Sequence, residues 1–263
     1  MRFCPLYSGS SGNATLVEAG DVRLLIDAGL PGRTVENALR QCGVDPCTLS
    51  AILVTHEHRD HIGGVGVLSR RYSLPVYANA GTWAGMQPIT GEIAPKNTRV
   101  FETNRDFYIK NVNILPFKTP HDANESVGYV INCGGVMVSV MTDVGHVSER
   151  MLAAVQGSDI ILIEANHDVE MLKAGSYPYP LKRRILGDNG HLSNENAGMA
   201  LCKLYREGVK HAVLGHLSKD NNYEALAMET VRSVLREDDI VDELFALAIA
   251  HRDRPTGMFE IGG

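Results

Sequence analysis

The sequence lacks the features that mark several classes of protein. Lysine and arginine number 25 against 31 aspartate and glutamate residues, a net charge of −6. That balance excludes a surface that is basic throughout and held to nucleic acid mainly by electrostatics, although it leaves room for a local basic groove. No apolar run reaches the roughly 20 residues of a membrane-spanning helix, and the first residues lack a signal-peptide core. We therefore expect a cytoplasmic protein with no membrane partner, and nothing in the sequence indicates an obligate protein partner.

Cysteine pairing and linkers are also missing. The five cysteines are odd in number and form no CxxC pair, so we expect free thiols in a reducing compartment. No repeat, low-complexity tract or Pro/Ser-rich linker divides the 263 residues. A chain of this length can bury roughly 70–75% of its unfolded surface without a disulfide or zinc staple. We expect one domain that spans residues 1–263.

Short apolar runs typical of strands occur in two batches, and helical spacing follows each batch. Turn residues predict one hairpin over residues 14–27 and another over residues 127–141. Residues 51–55 (AILVT) form a wholly apolar strand candidate, and residues 193–206 have the spacing of a helix. The pattern predicts an α/β fold in which two sheets pack face to face with helices outside.

The strongest chemical signal is the segment HEHRDH, which begins at His56 directly after the apolar strand. Three histidines and an aspartate in six residues are costly to bury without a partner and serve no packing purpose. Imidazole and carboxylate groups are ligands that suit Zn²⁺ or Mn²⁺, and also iron, which we rank below them. The spacing lets His56 and His58 bind one ion while Asp60 and His61 face another. We predict a metal site on a loop at this strand end.

This segment resembles the first metal-binding motif, HxHxDH, of the metallo-β-lactamase superfamily, and further ligands of that family follow in order along the chain. The resemblance implies a four-layer αββα sandwich, with two mixed β-sheets and outer helices, and two divalent metal ions per chain. It implies a first metal site of His56, His58 and His121, a second of Asp60, His61 and His216, Asp143 as the bridge, and Asp27 as a brace for the metal loop. Two adjacent ions can supply a hydroxide and clamp a phosphoryl or acyl group.

Three small polar clusters narrow the resemblance. They are residues 8–13 with Ser11 and Asn13, residues 190–196 with His191, Ser193 and Asn194, and residues 215–222 with Ser218 and Asn221. Hydroxyls, amides and helix starts of this kind can bind phosphate. Together they look like the YycJ/WalJ group, which implies a cytoplasmic metal-dependent phosphodiesterase that acts on DNA as an exonuclease.

The same order of motifs is similar to that of the tRNA 3′-end processing endonucleases. By that analogy, His191 helps to stabilise the transition state and protonates the leaving oxygen. In the mechanism that we expect, Asp60 and Asp143 help to hold the attacking hydroxide. His167, in an Asn-His-Asp segment after an apolar strand, is expected near the metals or the substrate, with coordination left open.

A mixed aromatic and basic segment precedes His191. Its candidate nucleic-acid contacts are Tyr177, Tyr179, Lys182, Arg183 and Arg184. Tyrosines can stack on bases and cations can contact phosphates, although an ordinary solvated loop is the competing interpretation.

Two other functions compete with a DNA nuclease. One is hydrolysis of a small thioester or cyclic nucleotide, because such members of the superfamily share the HxHxDH motif. The other is a non-catalytic nucleic-acid-binding or regulatory module. The complete ligand set argues against the second, and the Ser/Asn-rich clusters argue against the first. DNA or RNA as substrate, and exonuclease or endonuclease action, remain alternatives.

Overall fold

The computed structural model describes residues 1–241 and 243–262. The strands described, in chain order, are β1 Arg2–Tyr7, β2 Ala14–Ala19, β3 Val22–Ile26, β4 Ala51–Leu53, β5 Val76–Ala78, β6 Thr98–Val100, β7 Phe107–Ile109, β8 Val112–Lys118, β9 Val127–Cys133, β10 Val136–Met141, β11 Ile160–Glu164, β12 His211–Gly215, β13 Ala246–Ile249 and β14 Phe259–Glu260. The α-helices described are α1 Gly32–Gln41, α2 Arg59–Ile62, α3 Val65–Tyr72, α4 Ala80–Thr90, α5 Glu149–Val155, α6 Val169–Ala174, α7 Tyr179–Ile185, α8 Asn194–Arg206 and α9 Glu224–Glu237.

Two mixed sheets account for all of these strands. The first has the order β14-β1-β2-β3-β4-β5-β6, and the second has the order β13-β12-β11-β10-β9-β8-β7. Each begins with antiparallel hairpins and continues with parallel strands, from β3 to β6 in one sheet and from β10 to β13 in the other. Both predicted hairpins are present, and the predicted α/β class with two mixed sheets and outer helices is confirmed.

Three apolar layers hold the elements together. One layer lies between the sheets, where Phe3 and Leu24 of the first sheet share a core with Ile131 and Val138 of the second. The outer faces carry separate cores, one around helix α1 and one that includes Leu201 of α8. Because both faces of β4 and β11 are covered, these strands are apolar along nearly their whole length. No helix in the described part of the chain combines the length and apolar character needed to cross a membrane.

Two segments of the expected site region are more helical than the sequence indicates. Asp60 and His61 lie in the one-turn helix α2 rather than on an open loop. Residues 179–185 form helix α7 rather than a loop. Pro180 occupies the first turn of α7, where its missing N–H would have no partner in any case.

Candidate metal centre

The candidate ligands lie where the strands end. Asp27 follows β3, His121 lies shortly after β8, Asp143 follows β10 and His216 follows β12. Three of them have left-handed backbone conformations, with φ of 58° at Asp27, 57° at Asp143 and 53° at His216. This conformation is strained for residues other than glycine and persists where the surrounding structure enforces it, often at functional sites. The fold therefore accepts backbone strain at the positions that bring these side chains to one place.

The first cluster consists of three imidazoles. His58 Nδ1 lies 3.1 Å from His56 Nε2 and 3.2 Å from His121 Nε2. The opposite nitrogen of His121 is 3.2 Å from the Gly190 carbonyl oxygen, and the opposite nitrogen of His56 is 3.0 Å from the hydroxyl of Thr55. If His121 Nδ1–H donates to that carbonyl, Nε2 carries a lone pair that points at the other imidazoles.

The second cluster gathers around Asp143. Its Oδ2 lies 2.9 Å from His216 Nδ1 and 3.1 Å from His61 Nε2, and its Oδ1 lies 3.7 Å from His121 Nε2. Asp60 Oδ2 is 3.7 Å from His61 Nε2. Asp143 thus lies between the first cluster and the second. The family resemblance implies a bridging carboxylate in this position.

Asp27 orients His61 from behind. Its Oδ2 is 2.7 Å from His61 Nδ1, and its two oxygens accept hydrogen bonds of 2.8 Å from the backbone N–H and the hydroxyl of Thr55. When His61 Nδ1–H donates a hydrogen bond to Asp27, the lone pair of the imidazole is on Nε2, which faces Asp143. Histidine ligands of metals are commonly oriented in this way by a carboxylate.

These donor sets fit divalent cations. The ligand atoms of His56, His58 and His121 lie within 4.8 Å of one another, and so do those of His56, His61 and Asp143. Asp143 Oδ2 and His216 Nδ1 are buried and lie 2.9 Å apart. Three converging imidazole lone pairs beside a buried carboxylate are a favourable arrangement once a positive ion lies between them.

The pKa directions agree with this assignment. Burial lowers the pKa of both His56 and His121 and so favours the neutral, metal-binding form. Burial has the same effect on His61 and His216, but nearby carboxylates together outweigh it and raise the pKa of both: Asp143 first in each case, with Asp27 and Asp60 at His61 and Glu164 at His216. Burial opposes ionisation of Asp143, yet the two imidazoles outweigh it and hold the pKa of Asp143 well below its usual value. Protons therefore compete with cations for the second cluster.

A buried carboxylate that the sequence interpretation did not select, Glu164, pairs with His191. Glu164 is the last residue of β11 and is fully buried. Its Oε1 lies 2.7 Å from His191 Nδ1, while its Oε2 accepts the backbone N–H of Val144 at 2.8 Å and of Leu192 at 3.3 Å. Burial lowers the pKa of His191, but Glu164 overcomes that effect and raises it to about 9. The pair is a proton-holding group beside Asp143, whose Oδ1 is 3.8 Å from His191 Nδ1.

The front polar cluster packs against the metal loop. Asn13 Nδ2 lies 3.0 Å from His61 Nε2, and the Asn13 backbone N–H donates to the Asp60 carbonyl at 2.8 Å. The Asn13 and Asp60 backbones can approach each other because Gly29 lies beside them. A Cβ atom on Gly29 would lie 1.6 Å from the Asp60 carbonyl oxygen. Ser11 is exposed at the rim.

The two later polar clusters mainly hold loops together. Ser193 caps α8 by accepting from Asn196 N–H, and the Asn194 amide pairs with that of Asn222. Ser218 accepts the Asn221 N–H at 3.2 Å. These contacts fix the loops that carry His191 and His216.

His167 is buried in the same region, with 1% exposure. Burial lowers its pKa to about 4, so it is neutral, and neither of its ring nitrogens makes a hydrogen bond within the described residues. Among the described residues, a third group of potential ligands consists of Asp143, Glu164, His191 and His216, and His167 belongs to none of the three groups.

The aromatic and basic segment lies beside His191. Tyr179 and Arg183 are exposed, whereas Tyr177 OH donates to Asp220 Oδ2 at 2.8 Å. Lys182 donates two hydrogen bonds of 2.7 Å to backbone carbonyls and so fixes helix α7. Arg184 forms an ion pair with Asp122.

Comparison with known proteins gives the family. The Beta-lactamase superfamily domain matches residues 22–217. The chain is 40% identical over 257 residues to "Exodeoxyribonuclease YycJ" of Bacillus anthracis, covering 97% of each protein. It is 41% identical over 241 residues to "Exodeoxyribonuclease WalJ" of Streptococcus pneumoniae, covering 91% of this chain and 90% of that protein. The fold is similar to that of Zn²⁺-bound PqqB from Methylobacterium extorquens, with a TM-score of 0.74 at 18% identity over 99% of this chain and 100% of that one. This chain therefore belongs to the metallo-β-lactamase superfamily, in the group of the YycJ and WalJ proteins.

Proposed function

We propose that this protein is a metal-dependent exodeoxyribonuclease that hydrolyses phosphodiester bonds of DNA. The observation that carries the proposal is the Glu164–His191 pair at 2.7 Å, placed beside two sets of metal-ligand atoms. Hydrolysis of a nucleic-acid diester needs activation of water and also protonation of a poor leaving oxygen, and this arrangement provides for both. The names of the two close relatives support DNA as the substrate.

The proposed metal ligands are those that the family resemblance implies. His56, His58 and His121 would hold one divalent ion, and Asp60, His61 and His216 the other, with Asp143 between them. We propose Zn²⁺ or Mn²⁺, since the donor set of imidazoles and carboxylates suits both. When bound, the ions would polarise the phosphodiester and lower the pKa of water.

The chain's own residues would supply the proton. Glu164 Oε1 accepts a hydrogen bond from the Nδ1–H of His191, and this contact fixes the ring and stabilises the imidazolium. The proton on Nε2 is then available to the leaving oxygen. Glu164 raises the pKa of His191 to about 9 and so favours the protonated ring that a general acid requires.

Other residues would orient a metal ligand and contact the substrate. Asp27 would hold His61 in the ligand tautomer, and the exposed Tyr179 and Arg183 would contact the nucleic acid. The whole activity would lie in one domain, and five free cysteines favour the reducing cytoplasm.

An assay of the purified protein loaded with Zn²⁺ or Mn²⁺ tests the proposal. The substrates are end-labelled linear duplex DNA, single-stranded DNA, RNA and a thioester, and His58→Ala and Asp143→Ala are the controls. We expect stepwise shortening of DNA that both variants lose. Hydrolysis of the thioester without any hydrolysis of nucleic acid would refute the proposal and favour a small-ester hydrolase.

A further inference from the structure

Two cavities flank the metal-ligand clusters and share one wall. The larger, about 480 Å³, is bounded by His121, Lys118 and Arg150 among others. The smaller, about 180 Å³, is bounded by His191, His216 and Ser218 among others. Neighbouring residues face opposite sides, because Asn189 lines the larger cavity and Gly190 lines the smaller one.

An ion pair lies at the edge of the smaller cavity, beside this wall. Asp122 and Arg184 both line the smaller cavity, whereas His121 and Ala123, on either side of Asp122, line the larger one. Arg184 Nε donates to Asp122 Oδ2, so helix α7 is joined to the segment that carries a metal ligand. The His121 ring is joined to Gly190 by a 3.2 Å contact with its carbonyl oxygen, which ties the two sides of the wall together.

The chemistry of the smaller cavity suits one nucleotide. Arg184 uses its Nε in the ion pair, and a guanidinium carries four further N–H donors that can contact phosphate. The hydroxyls of Ser10 and Ser218 add polar contacts, and Tyr177 and Leu181 offer surface to a sugar or base. Its volume is below the roughly 300 Å³ of cavities that hold drug-sized ligands, which favours a terminal nucleotide over a continuing strand.

The position of the proposed acid, His191, indicates which cavity holds the leaving fragment and which holds the rest of the strand. His191 lines the smaller cavity, and an acid must lie beside the oxygen that leaves. The leaving fragment therefore occupies the smaller cavity. The body of the strand lies in the larger one, where the exposed Lys118 and Arg150 can contact its phosphates.

We propose that the Asp122–Arg184 ion pair limits product length: it separates the cavity for the body of the strand from a pocket that admits only its terminal nucleotides. This inference depends on the proposed nuclease activity and adds the residues that make the cleavage exonucleolytic. Removal of the pair joins the two cavities, and longer fragments can then leave.

The test compares Arg184→Ala and Asp122→Asn with wild type on DNA labelled at either end and on circular single-stranded DNA. Arg206→Ala is the matched control, because the Arg206–Asp238 pair has side-chain exposures of 59% and 31% against 57% and 32% for Arg184–Asp122. Exposed ion pairs contribute little to stability, so both arginine variants should fold. Metal content is measured for every protein, because Asp122 Oδ1 lies 3.4 Å from His121 Nε2.

We expect wild type and Arg206→Ala to release mainly mononucleotides and to leave circles intact. Arg184→Ala and Asp122→Asn should release a several-fold larger fraction of label in longer products and should begin to cut circles. Product lengths that do not change in these variants, or loss of activity in both without any longer product, would overturn the inference alone. Long products from wild type would also overturn it. Failure of wild type to hydrolyse any DNA would instead refute the proposed function.

Discussion

Replacement of Glu164 by glutamine tests whether His191 acts as an acid. The change keeps the shape of the side chain and one oxygen that can accept the Val144 N–H, but it removes the negative charge 2.7 Å from His191 Nδ1. Burial by itself favours the neutral form of His191, and the Glu164 charge is the main influence that raises its pKa to about 9. Without that charge, we expect the pKa to fall to or below the ordinary value of about 6.5.

The size of the effect follows from this difference. A fall of about 2.5 units corresponds to about 3.4 kcal/mol at 1.36 kcal/mol per unit. At pH 8, a group of pKa about 9 is about 90% protonated, whereas one of pKa 6.5 is about 3% protonated. Because the acid form is lost as pH rises through the pKa, Glu164→Gln should hydrolyse DNA roughly 30-fold more slowly at pH 8 and at nearly the wild-type rate below about pH 6.

The assay measures kcat/KM from about pH 5.5 to about pH 9.5 on DNA and on bis-p-nitrophenyl phosphate. Nitrophenolate leaves without a proton, so Glu164→Gln should slow DNA hydrolysis much more than hydrolysis of the nitrophenyl diester. In each protein kcat/KM should fall on the alkaline side of the pH profile, and we call this fall the alkaline limb. Bound cations lower the pKa of His191 in both proteins, so the test compares the pH of the alkaline limb in Glu164→Gln with that in wild type. His191→Ala should remove this limb.

An alkaline limb at the same pH in Glu164→Gln and wild type would refute the reasoning, provided that both proteins carry the same metal content. Equal slowing of both substrates at every pH would also refute it, because that result would indicate a role in folding or metal binding rather than proton transfer.

Three further predictions concern other parts of the molecule. Asp27→Asn weakens the contact that orients His61 and should lower metal affinity by about 10- to 100-fold in competition with a chelating dye, whereas unchanged affinity would count against a bracing role. Tyr129→Phe removes the 2.6 Å hydrogen bond to the Val54 carbonyl inside the core and should cost about 1–2 kcal/mol in urea unfolding, and no loss would mean that the carbonyl finds another donor. Arg183→Ala should reduce the slope of log affinity for DNA against log salt concentration by about 0.9, and an unchanged slope would remove Arg183 from the interface.

The fold was largely predictable because its hairpins and buried strands depend on local signals. Gly20 and Gly134 adopt left-handed conformations, with φ of 62° and 63°, in the turns of the two hairpins predicted from sequence. Strand β1 gave no such signal. It contains Pro5 and pairs with β2 and with residues 259–260, at the opposite end of the chain, and local spacing cannot indicate that pairing. Helix α7 could not be predicted, because the Tyr-Pro-Tyr-Pro run at its start is typical of loops. A helix accommodates Pro180 because this residue lies in the first turn.

The candidate site could be predicted where its residues follow one another or end a strand. His56, His58 and His61 stand in one short run, and their residue types indicate a metal before any contact is known. Glu164 could not be paired from sequence, because its partner His191 lies 27 residues away beyond two helices. It did carry one physical signal, since it is a carboxylate at the end of the apolar strand IILIE.

A buried charge needs a charged or hydrogen-bonding partner, and that requirement explains the arrangement around Glu164. The residue is fully buried, yet two backbone N–H groups and the His191 ring surround its oxygens. The strand end holds Glu164 in place, and Glu164 in turn holds the proton on His191. Both backbone donors contact Oε2, so within the described residues the His191 ring is the partner of Oε1. Because the same ring lies 3.8 Å from Asp143 Oδ1, beside the proposed metal ligands, we assign proton transfer to this contact.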